Sequence, residues 1–256
     1  MALGEFVWYD LTSPDPEAAI AFYSELFGWK VTPHGDNYHL IAAGETGIGG
    51  MLKLSDDASA MGARPSWLGY VSVESVDELA ARVQALGGRV YVPPSDVEGA
   101  GRFTVVADPQ GAVVGAYQQQ SDSAESTQVA GDGPTRTGHF VWHELASADL
   151  LTNYAHYQKL FGWQVLEDVD MGPQLGLYRI YGDTNRLGGM FTSPPGTPAA
   201  WMFYIRVDDV HATHTKAMEL GCKLINGPHQ VPGGSWTSQF CDPQGAAFAI
   251  TGPGIE

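Results

Sequence analysis

The chain repeats itself at one spacing. Phe22-Tyr23-Ser24-Glu25-Leu26-Phe27-Gly28-Trp29 returns as His156-Tyr157-Gln158-Lys159-Leu160-Phe161-Gly162-Trp163, an offset of 134 residues (157 − 23). The same offset carries Phe6-Val7-Trp8 onto Phe140-Val141-Trp142, Trp67 onto Trp201, Tyr70 onto Tyr204 and Leu86-Gly87 onto Leu220-Gly221. It also carries Asp108-Pro109-Gln110-Gly111 onto Asp242-Pro243-Gln244-Gly245. A spacing held over this many separated motifs is a tandem duplication, so the fold is a small module used twice. Between the copies, Gln118 to Thr127 is polar and without aromatics, and it runs into Gly131-Asp132-Gly133-Pro134. Such a stretch buries too little to pack. The expected division is a first module over 1–119, a linker over 120–137 and a second module over 138–256.

Each copy reads as strand, helix and short strands, played twice. Phe6 to Leu11 is aromatic and β-branched, which suits a strand. Ser13 or Asp15 can cap a following helix, Pro14 and Pro16 suit its first turn, and Ala19, Phe22, Tyr23, Leu26 and Phe27 recur at helical spacing until Gly28. Strands are expected at 29–32, 38–42 and 48–54. A second strand–helix pair is expected at 67–73 and 76–86, followed by strands at 89–92, 103–107 and 113–118. The class is α+β, with two βαβββ units in each module.

Charge narrows the partners. A formal net charge of −16, with 13 Lys and Arg spread along 256 residues, argues against nucleic acid and against an anionic membrane surface. No apolar run reaches the roughly 20 residues of a membrane span, and the start has neither a basic flank nor a signal-like core, so a cytoplasmic location is expected. Cys222 and Cys241 have no paired spacing and are expected as buried, inert thiols.

A capped helix carrying Phe-Tyr and then Leu-Phe-Gly-Trp, with a closing Asp-Pro-Gln-Gly before the last strand, resembles the vicinal-oxygen-chelate superfamily. This is the glyoxalase and bleomycin-resistance-like group, and the closest likeness is to its two-module bacterial glyoxalase-like or hydroxylase-like branch. The resemblance covers the chain except the linker. It implies that paired βαβββ units form an open, cup-shaped barrel with helices outside and the ligand inside. In metal-using members the ligands sit on the first, fifth and eighth strands. Aligned on the motifs, those positions hold Trp8, Leu68 and Gly115 in the first module and Trp142, Met202 and Ala249 in the second. The fourth strands read Gly49-Gly50-Met51-Leu52 and Gly188-Gly189-Met190-Phe191, without the extra acid of glyoxalase-type enzymes. No metal and no other cofactor is therefore expected.

Strand alternation then gives the cup lining. The first module offers Trp8, Asp10, Leu68, Tyr70, Val113 and Tyr117 with Met51 nearby; the second offers Trp142, Glu144, Met202, Tyr204, Arg206, Ala249 and Met190. Trp236, closing the loop Pro232-Gly233-Gly234-Ser235, joins the ligand-binding set, and this loop and Gly99-Ala100-Gly101-Arg102 read as flaps. Asp10 and Glu144 are the catalytic candidates, equivalent in the repeat and two residues beyond a Trp. The plainer alternative has each acid accept hydrogen bonds from tyrosine or backbone donors, or has Glu144 pair with Arg206. His139 and His143 flank Trp142, but alternation turns 143 away from 142 and 144. The histidines of His211-Ala212-Thr213-His214 are expected at the outer surface of a helix, and Trp29 and Trp163 as core plugs.

Three functions fit these residues. The first is metal-independent binding of a small aromatic or cationic molecule, in a resistance or natural-product role. The second is a lyase, isomerase or hydroxylase-like enzyme, with Asp10 or Glu144 moving a proton and Tyr70, Tyr204 or Arg206 holding an oxyanion. The third is a metal-dependent glyoxalase or dioxygenase. A small-molecule ligand is the expected partner, and a monomer or homodimer the expected state.

Overall fold

Asp15 starts the first helix as expected: its carboxylate accepts the Ala18 N–H, Pro16 occupies the first turn, and Gly28 ends the helix at φ 70°. The computed structural model describes residues 2–60, 62–120 and 136–254; most of the expected linker lies outside them. In the first copy the elements are β1 (Phe6–Ser13), α1 (Pro16–Phe27), β2 (Lys30–Pro33), β3 (Tyr38–Ala43), β4 (Thr46–Lys53), α2 (Asp56–Ala60), β5 (Ser66–Ser72), α3 (Val76–Ala85), β6 (Arg89–Val97), β7 (Gly101–Ala107) and β8 (Val113–Gln119). The second copy gives β9 (Phe140–Ser147), α4 (Leu150–Phe161), β10 (Gln164–Asp170), α5 (Gly172–Leu175), β11 (Leu177–Gly182), β12 (Arg186–Thr192), β13 (Ala200–Arg206), α6 (Val210–Glu219), β14 (Lys223–Gln230), β15 (Trp236–Cys241) and β16 (Ala247–Gly252). The short helices α2 and α5 were not foreseen, and β6 runs on through Pro93 and Pro94. The pairing of β6 shifts between Val92 and Ser95, where prolines without an N–H are tolerated.

Among the described residues the strands form two eight-stranded sheets, ordered β2-β3-β4-β1-β5-β8-β7-β6 and β10-β11-β12-β9-β13-β16-β15-β14. No described helix is long and apolar enough to cross a membrane. The chain divides into two compact units, Met1–Val7 with Leu68–Ser126 and Trp142–Met202, and Trp8–Trp67 with Thr127–Val141 and Phe203–Glu256. Apart from the first residues of β1, β5, β9 and β13, each unit takes one βαβββ from each copy.

The repeated motifs are the fastenings inside these units. In the second unit the Tyr23 hydroxyl of α1 donates to Asp242 Oδ2 (3.0 Å) and accepts from Trp67 Nε1 (2.9 Å). Asp242 Oδ1 meanwhile accepts the N–H groups of Gln244, Gly245 and Ala246, closing the Asp-Pro-Gln-Gly turn. The Gln244 side chain reaches Ser13 Oγ and the Asp15 carbonyl at the start of α1. The first unit repeats the device with the copies exchanged: Tyr157 donates to Asp108 Oδ2 (2.9 Å), Trp201 donates to Tyr157, and Gln110 bonds both backbone groups of Asp149. Trp29 and Trp163 are the expected plugs, and each donates its indole N–H to a backbone carbonyl, of Gly138 and Gly4.

Burial raises the pKa of Tyr23 and Tyr157, and the adjacent carboxylates add to it, so both phenols stay protonated donors. Replacing Tyr157 or Tyr23 with Phe leaves a buried aspartate short of a donor. Each change is expected to cost about 1–3 kcal/mol in urea unfolding at neutral pH, whereas Tyr91→Phe, on an exposed side chain, should cost almost nothing.

Candidate functional site

The two faces of β1 have different fates. Tyr9, Leu11 and Ser13 are buried, whereas Trp8, Asp10 and Thr12 alternate with them and are half-buried. On this second face Asp10 Oδ1 accepts from the Tyr38 hydroxyl (2.6 Å) and from Trp8 Nε1 (3.0 Å), and the same indole N–H lies 2.9 Å from the Tyr38 oxygen. Tyr38 opens β3, and its ring lies over β4, where a Cβ on Gly50 would come 2.0 Å from the ring. The glycine in the fourth strand is thus the seat of a tyrosine.

The other unit builds the same triad. The Tyr178 hydroxyl donates to Glu144 Oε2 (2.9 Å), Trp142 Nε1 donates to Tyr178 (2.9 Å), and Gly189 leaves the space that the Tyr178 ring fills. Burial, followed by the charge of the neighbouring carboxylate, raises both phenol pKa values, so each tyrosine keeps its proton and points it at the acid. Sequence reasoning missed both tyrosines. They are 140 residues apart (178 − 38), because β10 and α5 lengthen the second copy, and so they escape a search at 134.

Register places the other expected residues. Tyr70 pairs with Gly115 and Ser72 with Tyr117, so Leu68, Tyr70, Gly115 and Tyr117 share a face with Phe103 and Val105 of β7. Tyr70 lies edge-on to Phe103 at 6.2 Å, and its ring occupies the place of a Gly115 side chain. In β13 Met202, Tyr204 and Arg206 alternate with Phe203 and Ile205, and Tyr204 accepts a hydrogen bond from Gln239 (2.5 Å). Val113 is exposed.

Five expectations are corrected. Met51 pairs with Leu11 and Met190 with Leu145, so both lie on the face opposite the acids and are wholly buried as core. Trp236 packs against His211 of α6, with ring centroids 4.6 Å apart, on the helix side of its sheet. The two Gly-rich loops are closed turns: Tyr117 donates to the Ala100 carbonyl, and Val231 bonds Ser235. His214 is half-buried against Ser238 rather than on the outer surface. Cys222 is buried, with its thiol pushed up to about 12, and Cys241 is half-buried.

These residues do not suit a divalent cation. The oxygens described for Asp10 and Glu144 already face O–H and N–H donors, and among the described residues no three His, Cys, Asp or Glu side chains converge. His143 turns away from Glu144, stacks on Phe6 at 4.1 Å and donates from Nδ1 to the Leu187 carbonyl (2.6 Å).

The sequence profile of the Glyoxalase/Bleomycin resistance protein/Dioxygenase superfamily matches residues 5–115 and again 136–250. The chain belongs to this superfamily. Within the superfamily it is 32% identical to CFP32 of Mycobacterium bovis, a protein provisionally named a glyoxylase, over 96% of this chain and 94% of that one. It is 31% identical to the anthracycline biosynthesis protein DauV of Streptomyces sp. strain C5, over 97% and 93% of the two chains. In fold it resembles the Mn(II)-bound glyoxalase from Novosphingobium aromaticivorans, with a TM-score of 0.67 at 16% identity over 97% of this chain and 82% of that one. It keeps the two-module frame, and the tyrosines of β3 and β11 reach across β4 and β12 to the carboxylates of the opening strands.

Burial holds the His143 pKa near 4, below its ordinary 6.5, so folding favours the neutral ring. The stabilisation is complete above pH 6.5 and is lost as the pH falls towards 4, because the unfolded chain takes up the proton first. The full effect is about 3 kcal/mol. Unfolding free energy measured from pH 7 to 4 should fall less steeply in His143→Gln than in the parent, and parallel profiles would contradict the assignment.

Proposed function

We propose that the protein binds a small planar aromatic molecule of the natural-product kind without a metal, as a cytoplasmic protein, and that Trp8–Asp10–Tyr38 and Trp142–Glu144–Tyr178 are its polar anchors. The observation that carries this reading is the triad built twice, each time with a glycine clearing room for the tyrosine. An indole and a phenol joined by a hydrogen bond offer aromatic surface next to a carboxylate, which can orient a ligand O–H or N–H, or an organic cation. The face bearing Tyr70, Phe103 and Tyr117 adds aromatic surface of the same kind. That two relatives are named anthracycline biosynthesis proteins supports an aromatic natural-product ligand.

A second reading has one observation in its favour. A protonated tyrosine hydrogen-bonded to a carboxylate is a two-step proton path, so a ligand bound at the phenol could exchange a proton with Asp10 or Glu144. Under it the protein is an acid–base enzyme acting on a small carbonyl or phenolic intermediate. Turnover that survives in the double variant Asp10→Asn, Glu144→Gln would remove those roles.

Binding is tested by tryptophan fluorescence during titration with neutral hydroxylated anthraquinones and cationic acridines. Saturable quenching is expected, weakened about tenfold by Tyr38→Phe or Tyr178→Phe, since each removes the hydroxyl that holds the anchoring acid in place. A flat response across the panel contradicts the proposal.

A further inference from the structure

Most of the described cations outside the exposed surface are spoken for. Arg102 is held by Asp77 and Asp96, Arg179 by Asp168, and Lys216 by Glu25. Arg206 differs. It is half-buried, and its guanidinium forms no ion pair or hydrogen bond with a described residue, although its backbone N–H and carbonyl are bonded to His139 and Gly138. A half-buried cation with no partner among the described residues carries a desolvation cost there that an anion would relieve.

Its neighbours suit an anion. Arg206 pairs with Thr251, Thr251 with Thr237, and Thr237 with His229, so four polar side chains cross four strands in one row on one face. The row beside it is Tyr204, Ala249, Gln239 and Asn226, in which the Tyr204–Gln239 hydrogen bond spans the small Ala249. No carboxylate stands in either row. The equivalent row of the first copy is Ser72, Tyr117, Phe103 and Ser95, with no cation. The copies have thus diverged at the same place on the frame, one towards aromatic surface and one towards hydroxyls and a guanidinium.

We infer that the β13–β16 face is a subsite for a ligand carboxylate, gripped by the Arg206 guanidinium and flanked by the Thr251 and Thr237 hydroxyls. A planar guanidinium matches a carboxylate in shape and supplies paired donors. A single positive charge balances a monoanion. A phosphate dianion would find no second Lys or Arg in these rows and would meet the field of a protein with net charge −16. The inference rests on the binding reading above only in taking this face to be one that meets ligand.

The test uses 2-naphthoate and its neutral amide, 2-naphthamide, which share an aromatic body and differ in charge. Binding is followed by calorimetry and by the Arg206 side-chain Nε–Hε NMR signal, assigned from its loss in Arg206→Gln. Naphthoate should shift that signal saturably and bind at least tenfold tighter than the amide. Arg206→Gln should remove this preference, a loss of about tenfold to a hundredfold for naphthoate with little change for the amide. Arg206→Lys, which keeps the charge without the fork, should fall between, and circular dichroism should be unchanged in both variants. Equal binding of acid and amide overturns the inference but leaves aromatic recognition standing. A shifted Arg206 signal with no amide binding supports the inference and counts against aromatic recognition. No saturable shift, or one matched by inorganic phosphate at equal ionic strength, overturns it.

Discussion

In each unit a tyrosine from one copy gives its hydrogen bond to the aspartate that forms the Asp-Pro-Gln-Gly turn of the other. Tyr23 with Asp242 and Tyr157 with Asp108 are buried pairs, and in each the carboxylate is also fed by turn N–H groups. A buried carboxylate is tolerated only with its acceptors filled, and a buried phenol only with a partner for its proton, so each satisfies the other. Gln110 and Gln244 extend the fastening to the starts of α4 and α1. With α1 fixed, the buried face of β1 is decided, and with it the face that carries Trp8 and Asp10.

The duplication separates what the frame needs from what the faces away from the helices are free to change. Residues of the fastening are identical between copies. On the faces away from the helices, Phe103 becomes Thr237, Val105 becomes Gln239, Tyr117 becomes Thr251 and Ser72 becomes Arg206. The Trp–acid–Tyr triads survive in both copies although Asp10 becomes Glu144, one methylene longer.

Much of this was legible in the residues. The spacing of 134 gave the duplication, Asp15 and Gly28 the limits of the first helix, and period-two alternation put Trp8 with Asp10 and turned His143 away from Glu144. The errors came where long-range pairing decides. Met51 and Met190 lie one residue out of phase with the expected lining, and in a strand a single step reverses the face. Tyr38 and Tyr178 acquire a role only because an antiparallel neighbour carries a glycine beneath the ring. The packing of half of one copy with half of the other rests on hydrogen bonds between residues as far apart as Ser13 and Gln244, which leave no local pattern.

On the proposed reading the carboxylates of the opening strands serve tyrosine and ligand rather than a divalent metal ion. A crystal of the protein soaked with a hydroxylated planar aromatic in the presence of Mn(II) examines it directly. Aromatic density is expected against Trp8 and Tyr38 or Trp142 and Tyr178, with each tyrosine still bonded to its acid and no anomalous manganese signal at Asp10 or Glu144. Manganese bound to either carboxylate, with the tyrosine displaced, would contradict it.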